Sequence, residues 1–357
     1  MGYTVPMKRI SLTLPLFAAL AACACDEIQD EPAAETERFW HPPQVGQLET
    51  VAEFNHGPPP NFETPESVLV GFNDEIYISM ALTGEIRKIE PDGSQSTFAT
   101  LPIGVPLQPC GGLVGIVGAM AGDILGNVYV NVASCEAENR GVWRIDADGN
   151  AQKIASFGFD VLPNGIATFL GQLYIADSSG KVWRVPMTGG TPEVWADGPL
   201  LAQSGAVVPV TPPIPTPGPN GIQFFKKAAY VANSSQGTIV KIPFKKNGSA
   251  GTPEVYHTFE DPDVGCDDFA FDIIGRIYCT TDPAHTVIRI DRDHSEHILF
   301  DADDGLDGPT AAMFGRFDDR RTLYITNAQF PFFDEISPNN GPSLQKVELA
   351  LPGYPFR

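Results

Sequence analysis

Four side chains with oxygen donors occupy the same phase of a sequence repeat, and together they could bind a divalent cation. They are Glu66, Asn164, Asn220 and Asp267, and each lies at the start of an apolar segment that precedes a tyrosine-containing strand. Two carboxylates and two neutral amide oxygens suit Ca²⁺, with water in the remaining positions. Mg²⁺ and Mn²⁺ accept a similar set of hard donors.

Each of these residues taken singly has a simpler structural explanation. Asn164 and Asn220 stand in Pro-Asn-Gly sequences, which are common turns. An isolated Glu66 is by default a solvated surface residue, and Asp267 or the adjacent Asp268 could cap a strand. The coincidence of four such residues at one phase favours a metal site. The doubled aspartate leaves the choice of ligand open, and the register favours Asp267.

The repeat that positions these residues contains six tyrosines, each in a short apolar strand. The tyrosines are 45 to 56 residues apart, and each is followed by a strand in which a basic residue has apolar neighbours. A period of this length with several short strands is typical of a β-propeller blade. We therefore predict an all-β, six-bladed propeller. The tyrosines are Tyr77, Tyr129, Tyr174, Tyr230, Tyr278 and Tyr324.

The N-terminal strand is expected to close the ring. The last repeat has no fourth strand, whereas residues 48–54 have the pattern of one and precede the first blade. Pairing of this strand into the last blade would remove exposed sheet edges. Since the innermost strands of a propeller line its channel, the residues at their starts converge on the axis. Gly118 and either Thr310 or Ala311 occupy the other two such positions.

The first 44 residues predict export. Two basic residues precede the apolar run 10–22, which is too short to span a bilayer. Residues 20–23 match a lipobox, in which Cys23 would carry a lipid anchor, and cleavage after Ala24 is the alternative. We expect an exported protein that is either periplasmic or lipid-anchored at the outer membrane, and otherwise secreted. The predicted division is an export signal of lipoprotein type at 1–25, a flexible tether at 26–44 and the propeller at 45–357.

The amino-acid composition limits the classes of partner and indicates the redox compartment in which the protein works. The formal net charge of −21 argues against nucleic acid, because binding phosphates needs clustered Lys and Arg. Four cysteines follow the export segment, and an even number in an exported chain permits disulfides. The local pairings are Cys110–Cys135 and Cys266–Cys279. Leu200 to Pro217 is Pro-rich and is expected to form a stiff extended loop on the channel rim, although it could be a mere spacer.

The segments around the candidate ligands resemble the gluconolactonase/regucalcin (senescence marker protein) family, which includes diisopropylfluorophosphatase-like hydrolases. The resemblance covers roughly residues 45–350. It implies a propeller with a central divalent cation, usually Ca²⁺, held by Glu66, Asn164, Asn220 and Asp267. The segments are Pro65-Glu66-Ser67, Pro163-Asn164-Gly165, Pro219-Asn220-Gly221 and Asp267-Asp268-Phe269-Ala270-Phe271-Asp272.

The resemblance also implies hydrolysis of lactones, esters or organophosphates, with the cation polarising the substrate oxygen and Asp267 acting as base or nucleophile. Sugar lactonases often have a basic residue where this chain has Leu162, which disfavours a polyol substrate. We therefore expect an exported, monomeric hydrolase of small lactones or related esters. The alternative is a non-catalytic propeller that binds a ligand or protein around a structural Ca²⁺. His285 could shuttle protons if its loop lies on the rim, or could be structural.

Overall fold

The structure is a computed structural model that describes residues 45–56, 63–72, 74–104, 115–208, 214–261, 264–282, 284–330 and 341–355. The expected export signal, the lipid anchor at Cys23 and the tether lie outside these residues, as does Cys110. Within the described part of the chain, no helix has the length and apolar character needed to cross a membrane. Its helices are the short 3-10 turns Ser234–Gln236, Ala302–Asp304 and Phe317–Asp319.

Twenty-four strands of the described chain form six antiparallel sheets of four, which are the blades. The chain begins with β1 (Glu49–Glu53), followed in blade one by β2 (Pro65–Val70), β3 (Ile76–Met80), β4 (Glu85–Ile89) and β5 (Gln95–Thr100). Blade two contains β6 (Ile116–Gly122), β7 (Val128–Ala133), β8 (Gly141–Ile145) and β9 (Ala151–Ser156). Blade three contains β10 (Pro163–Phe169), β11 (Gln172–Asp177), β12 (Lys181–Pro186) and β13 (Glu193–Ala196).

The later blades repeat the same order. A short hairpin of β14 (Val207–Val208) and β15 (Ile214–Pro215) precedes blade four. Blade four contains β16 (Pro219–Phe225), β17 (Ala228–Asn233), β18 (Thr238–Pro243) and β19 (Glu254–Thr258). Blade five contains β20 (Cys266–Phe271), β21 (Ile277–Thr281), β22 (Thr286–Ile290) and β23 (Glu296–Phe300). Blade six contains β24 (Pro309–Phe314), β25 (Thr322–Asn327), β26 (Ser343–Glu348) and β1.

The first strands of the blades form a closed ring. Each of β2, β6, β10, β16, β20 and β24 contacts the first strand of the next blade, and β24 contacts β2. β1 pairs antiparallel with β26, so that Glu49 stands opposite Lys346. The prediction that an N-terminal strand completes the last blade is therefore confirmed. This closure pairs the free edge of β26, which would otherwise be exposed.

The two residue types that mark the repeat are cross-strand partners. In every blade the tyrosine of the second strand lies directly opposite the basic residue of the third. The pairs are Tyr77 and Lys88, Tyr129 and Arg144, Tyr174 and Arg184, Tyr230 and Lys241, Tyr278 and Arg289, and Tyr324 and Lys346. All six tyrosines are buried. The shared register explains why the repeat is visible in the sequence, because one blade geometry is used six times.

The hydrophobic core lies between neighbouring blades. Between blades three and four, for example, Phe169 stacks on Phe224 with ring centroids 4.7 Å apart, and Tyr174 packs edge-on against the same Phe224 ring at 5.1 Å. Burial of aromatic rings of this size is a large contribution to stability. The blades are therefore fixed relative to one another, as a site built from several blades requires.

A disulfide joins Cys266 to Cys279, with their Cα atoms 5.9 Å apart, as the sequence predicted. It links the first and second strands of blade five. The Cys110–Cys135 pairing stays a prediction, because Cys110 lies outside the described residues. The Pro-rich segment is not only an extended loop, since it contains the β14–β15 hairpin around residues 209–213, which are not described.

Candidate functional site

The first strand of every blade contains a β-bulge, and each predicted site residue lies in one. The pairing of first and second strands is interrupted between Pro65 and Ser67, Val117 and Met120, Pro163 and Ile166, Pro219 and Ile222, Cys266 and Phe269, and Pro309 and Ala311. A bulge leaves a residue out of the ladder and changes the direction of its side chain. Six bulges at one phase can therefore aim six side chains away from their own sheets.

The four predicted residues line one pocket. Glu66, Asn164, Asn220 and Asp267 are all part of its wall. Asn220 is buried, and the other three are partly exposed. The rest of the wall also comes from strand starts, and in blade two it is Ala119 rather than the expected Gly118. These further residues are Ser67, Ala119, Gly165, Gly221, Asp268, Thr310 and Ala311.

The two Pro-Asn-Gly sequences are not turns, because they lie inside β10 and β16. Their glycines allow neighbouring first strands to approach closely. A Cβ on Gly165 would come within 2.2 Å of the Asn220 carbonyl oxygen, and one on Gly221 within 2.7 Å of the Asp267 carbonyl oxygen. Glycine is required at both positions by this backbone contact. The contact brings Asn164, Asn220 and Asp267 to adjacent places around the axis.

Serine hydroxyls fix the orientation of both asparagine amides. Asn164 Nδ2 lies 3.2 Å from Ser178 Oγ, and that hydroxyl donates its single proton to the Pro219 carbonyl at 3.0 Å. Asn220 Nδ2 makes the same contact with Ser234 Oγ at 3.2 Å, and this hydroxyl donates to a carbonyl of β20 at 2.6 Å. Each serine can therefore only accept from its asparagine. The amide oxygens, which are the atoms that could ligate a cation, make no contact with these serines.

The carboxylates of the pocket are held in an unfavourable environment. Glu66 Oε2 is buried and has no hydrogen-bond partner among the described residues. Burial, followed by the charges of Asp282 and Asp268, raises the pKa of Glu66 to about 8. Burial also raises the pKa of Asp267 well above its usual range, with Glu66 as the largest neighbouring charge and a hydrogen bond from Asn220 opposing the rise. A bound cation would relieve this repulsion.

Two further carboxylates belong to this cluster. Asp268, which the sequence offered as the alternative to Asp267, has its pKa raised to about 7 by burial. Asp282 was missed by the sequence reasoning, and burial together with the charge of Asp307 raises its pKa to about 7. Asp282 directly follows the second strand of blade five. An acidic residue just after that strand was the signal that could have found it.

The orienting serines were also missed, although a signal existed. Ser178 and Ser234 each lie 14 residues after the asparagine they contact. They follow the second strands of blades three and four at the same phase, after Asp177 and Asn233. An identical spacing in two consecutive blades would have marked them as a pair with a shared role.

His285 lies between the second and third strands of blade five, at the same end of that blade as Asp282. Its Nδ1 accepts a hydrogen bond from the Gly308 amide at 2.9 Å and lies 3.4 Å from Asp307 Oδ1. Burial lowers the pKa of His285, against the charge of Asp307. His285 is not part of the pocket wall. The amide contact gives it a structural role in joining the loops of blades five and six.

The donor set fits a hard cation through its mixture of carboxylates and amides. In the described ranges, no group of three or more His, Cys, Asp and Glu side chains is arranged to hold a metal ion. The predicted set contains only two such residues, Glu66 and Asp267, and adds the amide oxygens of Asn164 and Asn220. Carboxylates with neutral oxygens are typical of Ca²⁺ sites. The unpartnered Glu66 Oε2 is the atom that fits this interpretation best.

A model of a known protein family matches the middle and later part of the chain. Residues 176–329 match the family described as SMP-30/Gluconolactonase/LRE-like region. The resemblance expected from the site segments is thereby confirmed, and the matched stretch includes Asn220 and Asp267. No curated protein matches the sequence of the chain.

Solved structures with a similar fold cover most of the chain at low sequence identity. Regucalcin from Agrobacterium tumefaciens, a calcium-binding protein, is 15% identical, with a TM-score of 0.61 over 87% of this chain and 96% of its own. A gluconolactonase from Xanthomonas campestris is 16% identical, with a TM-score of 0.58 over 85% and 89%. Virginiamycin B lyase from Staphylococcus aureus is 12% identical, with a TM-score of 0.52 over 85% and 99%. The shared feature is the propeller fold, which hosts more than one chemistry.

Proposed function

We propose that this lactonase-like propeller is an exported, divalent-cation-dependent hydrolase of lactones or related esters. The observation that carries the proposal is the convergence of Glu66, Asn164, Asn220 and Asp267 on one pocket. Their oxygens come from four different blades and include a buried carboxylate oxygen without a partner among the described residues. These oxygens would coordinate a divalent cation bound between them. Ca²⁺ is the preferred ion, and Mg²⁺ and Mn²⁺ are the alternatives.

The four side chains would hold the cation, which would supply polarisation of the substrate carbonyl. The two serines keep the asparagine oxygens in place before substrate arrives, which is a form of pre-organisation. Asp267 would act as the base or nucleophile. Burial keeps its pKa high, so its carboxylate is a better proton acceptor than an exposed aspartate. Asp268, on the same bulge, is the alternative for this role.

The walls of the pocket favour an uncharged substrate. Among the residues that line it there is no Lys or Arg, and Ala119 and Ala311 contribute methyl groups. A phosphorylated or strongly anionic substrate would meet Glu66 and the two aspartates without a compensating cationic side chain. A small lactone or ester of limited polarity fits better. This agrees with Leu162 standing where sugar lactonases have a basic residue.

Export and the monomeric state belong to the same proposal. Export rests on the apolar run 10–22, the lipobox that ends at Cys23 and the disulfide between Cys266 and Cys279. Disulfides persist in oxidising compartments such as the periplasm. Globomycin treatment of cells that produce the full chain tests the anchor, because it should cause accumulation of the uncleaved precursor. Replacement of Cys23 by Ala should abolish lipid labelling.

The decisive experiment is a panel of lactones and aryl esters, assayed on metal-stripped protein with and without Ca²⁺. We expect turnover only with the cation, and loss of both cation binding and turnover in Glu66→Gln and Asp267→Asn. Glu90→Gln, at a surface turn, is the matched control and should behave like the native protein. Full activity after thorough chelation would contradict the proposal. Cation binding without turnover of any substrate would instead support the non-catalytic binding propeller.

A further inference from the structure

A second pocket lies further along the same channel and has a different chemical character. It is lined by residues two to six positions beyond the site residues on the first strands, including Leu69, Met120, Ile166 and Met313. Apolar side chains from blades one, two, three and six thus form most of its wall. Asp268 belongs to both pockets and marks the boundary between them. The only cationic side chain in the wall is Arg316.

Arg316 is held rigidly on the side of this pocket. Its Nε donates to the Val70 carbonyl at 2.9 Å, and its guanidinium carbon lies 4.0 Å from the centroid of the Phe72 ring. The amide of Val70 in turn contacts Met313 Sδ at 3.2 Å. Two residues of blade six, Arg316 and Met313, therefore bind the carbonyl and the amide of Val70 at the end of the first strand of blade one. The position of the guanidinium is set before any ligand arrives.

The charge of Arg316 has no ion-pair partner in the described part of the chain. Other arginines with similar exposure, such as Arg87 and Arg276, lie within 2.7 Å of a carboxylate oxygen. Asp74 acts on Arg316 only through its longer-range charge. Burial lowers the pKa of Arg316, but a guanidinium keeps its proton in proteins. The two NH₂ groups accordingly remain available as a fork of donors.

We propose that this second pocket binds a small organic anion, a monocarboxylate with an apolar body, through the Arg316 guanidinium. Arginine presents parallel donors that match the two oxygens of a carboxylate. The Phe72 ring covers one face of the guanidinium, and the aliphatic walls would cover the apolar body of the ligand. Gln223, which also lines the pocket, adds one neutral amide. A polyanion is disfavoured because Asp268 stands at the far end.

The proposal does not depend on the hydrolase function, since none of its contacts uses the four candidate cation ligands. It concerns a site for a product, an inhibitor or a regulatory acid at the other end of the channel. Hexanoate is a suitable probe, and hexanamide has nearly the same shape without the charge. Titrations by calorimetry in the presence of chelator, at an ionic strength of about 0.15 M, separate the guanidinium contact from any bound cation.

We expect hexanoate to bind the native protein and hexanamide to bind roughly 10- to 100-fold more weakly, as for loss of a charged hydrogen-bonded pair. Arg316→Gln should weaken hexanoate binding by a similar factor. Arg320→Gln, an exposed arginine four residues away, should leave it unchanged. Equal binding of acid and amide, or undiminished binding to Arg316→Gln, would overturn the proposal.

Two further measurements keep the outcome clear. Glu66→Gln should retain hexanoate binding. If this variant lost binding, the acid would occupy the first pocket and the present proposal would be refuted. The proposed hydrolase function would be unaffected by that result. If Arg316→Gln does not fold, a crystal of the native protein soaked in ω-bromohexanoate answers the question. The bromine should appear among Leu69, Met120 and Ile166, and a bromine elsewhere would count against the site.

Discussion

Asn220 donates a hydrogen bond to Ser234, and the reverse donation is not possible because the serine proton is used elsewhere. Asn220 Nδ2 lies 3.2 Å from Ser234 Oγ, and the hydroxyl proton is already used at 2.6 Å by the Cys266 carbonyl of the next blade. The contact therefore fixes which end of the amide is the oxygen. Because the acceptor carbonyl belongs to blade five, the orientation of a ligand in blade four depends on the packing of its neighbour.

Removal of this hydroxyl should weaken cation binding without removing any ligand. We expect Ser234→Ala to lower Ca²⁺ affinity about 10- to 100-fold, the usual effect of losing a residue that orients a metal ligand. The amide would gain freedom to turn its NH₂ group toward the cation. Calorimetric titration of Ca²⁺ into metal-stripped protein measures the change.

Ser178→Ala tests the same relationship at Asn164 and should have an effect of similar size, because the geometry is repeated. Ser249→Ala, in the turn between the third and fourth strands of blade four, is the control and should bind Ca²⁺ normally. Unchanged affinity in both pocket variants would show that the serines do not orient cation ligands.

The stability of the cation-free protein should fall as the pH rises. Burial raises the pKa of Glu66 to about 8 and that of Asp282 to about 7, whereas unfolded carboxyls titrate near pH 4. Between these values the folded protein binds more protons than the unfolded chain, so the free energy of unfolding decreases with pH. We expect a lower Tm in chelator at pH of about 8 than at about 5.

Addition of Ca²⁺ should stabilise the protein most at the higher pH, where the carboxylates are ionised and protons no longer compete. Glu66→Gln should reduce the pH dependence in chelator, since it removes a carboxyl whose pKa burial raises to about 8. A Tm that rises with pH in chelator would contradict the repulsion described for this pocket.

The Asn-Gly pairs should tolerate no side chain on the glycine. A Cβ at Gly221 would lie 2.7 Å from the Asp267 carbonyl oxygen and from the Asp268 Cα. We expect Gly221→Ala to destabilise the protein by about 1–3 kcal/mol, as for overpacking elsewhere, and to displace Asp267. Urea unfolding and Ca²⁺ titration report the two effects. A Cβ at Gly341 has no neighbour within 4 Å among the described residues, so Gly341→Ala should be nearly neutral.

The disulfide should stabilise blade five next to the site. Cys266 precedes Asp267, and the bond to Cys279 closes a loop with a sequence separation of 13. Replacing both cysteines by alanine should lower the free energy of unfolding by about 2–4 kcal/mol. Urea unfolding measures the loss. Cys279→Ala alone breaks the same crosslink and should cost a comparable amount, and an unchanged midpoint in both variants would show that the crosslink is dispensable.

The propeller fold could be predicted from the local sequence because each blade repeats the same short-range pattern. The tyrosine and basic residues that mark the repeat are cross-strand partners in all six blades, and this register depends on turns and alternation within one blade. Ring closure followed from counting strands. The phase of Glu66, Asn164, Asn220 and Asp267 was visible for the same reason, and the structure places them together.

The contacts between blades were not visible. The Pro-Asn-Gly sequences suggested turns, yet they lie in bulged strands whose glycines touch the next blade. The charge of Asp282 acts on Glu66 of blade one, and the hydroxyls of Ser178 and Ser234 donate to carbonyls of the next blade. The positions of these residues could be found within one blade, but their partners in other blades could not. Arg316 lies in a loop of blade six, and its place beside Phe72 exists only because blade six meets blade one.

The amino-acid sequence by itself therefore determined the number of blades, the strand that closes them and the residues that start the inner strands, because these depend on periodicity and local conformation. The tertiary structure alone decided the orientation of the amides, the raised pKa values of the carboxylates and the isolation of a guanidinium in the channel. Those properties arise from burial and from distances between atoms that are far apart in the chain, and both exist only once the ring has closed.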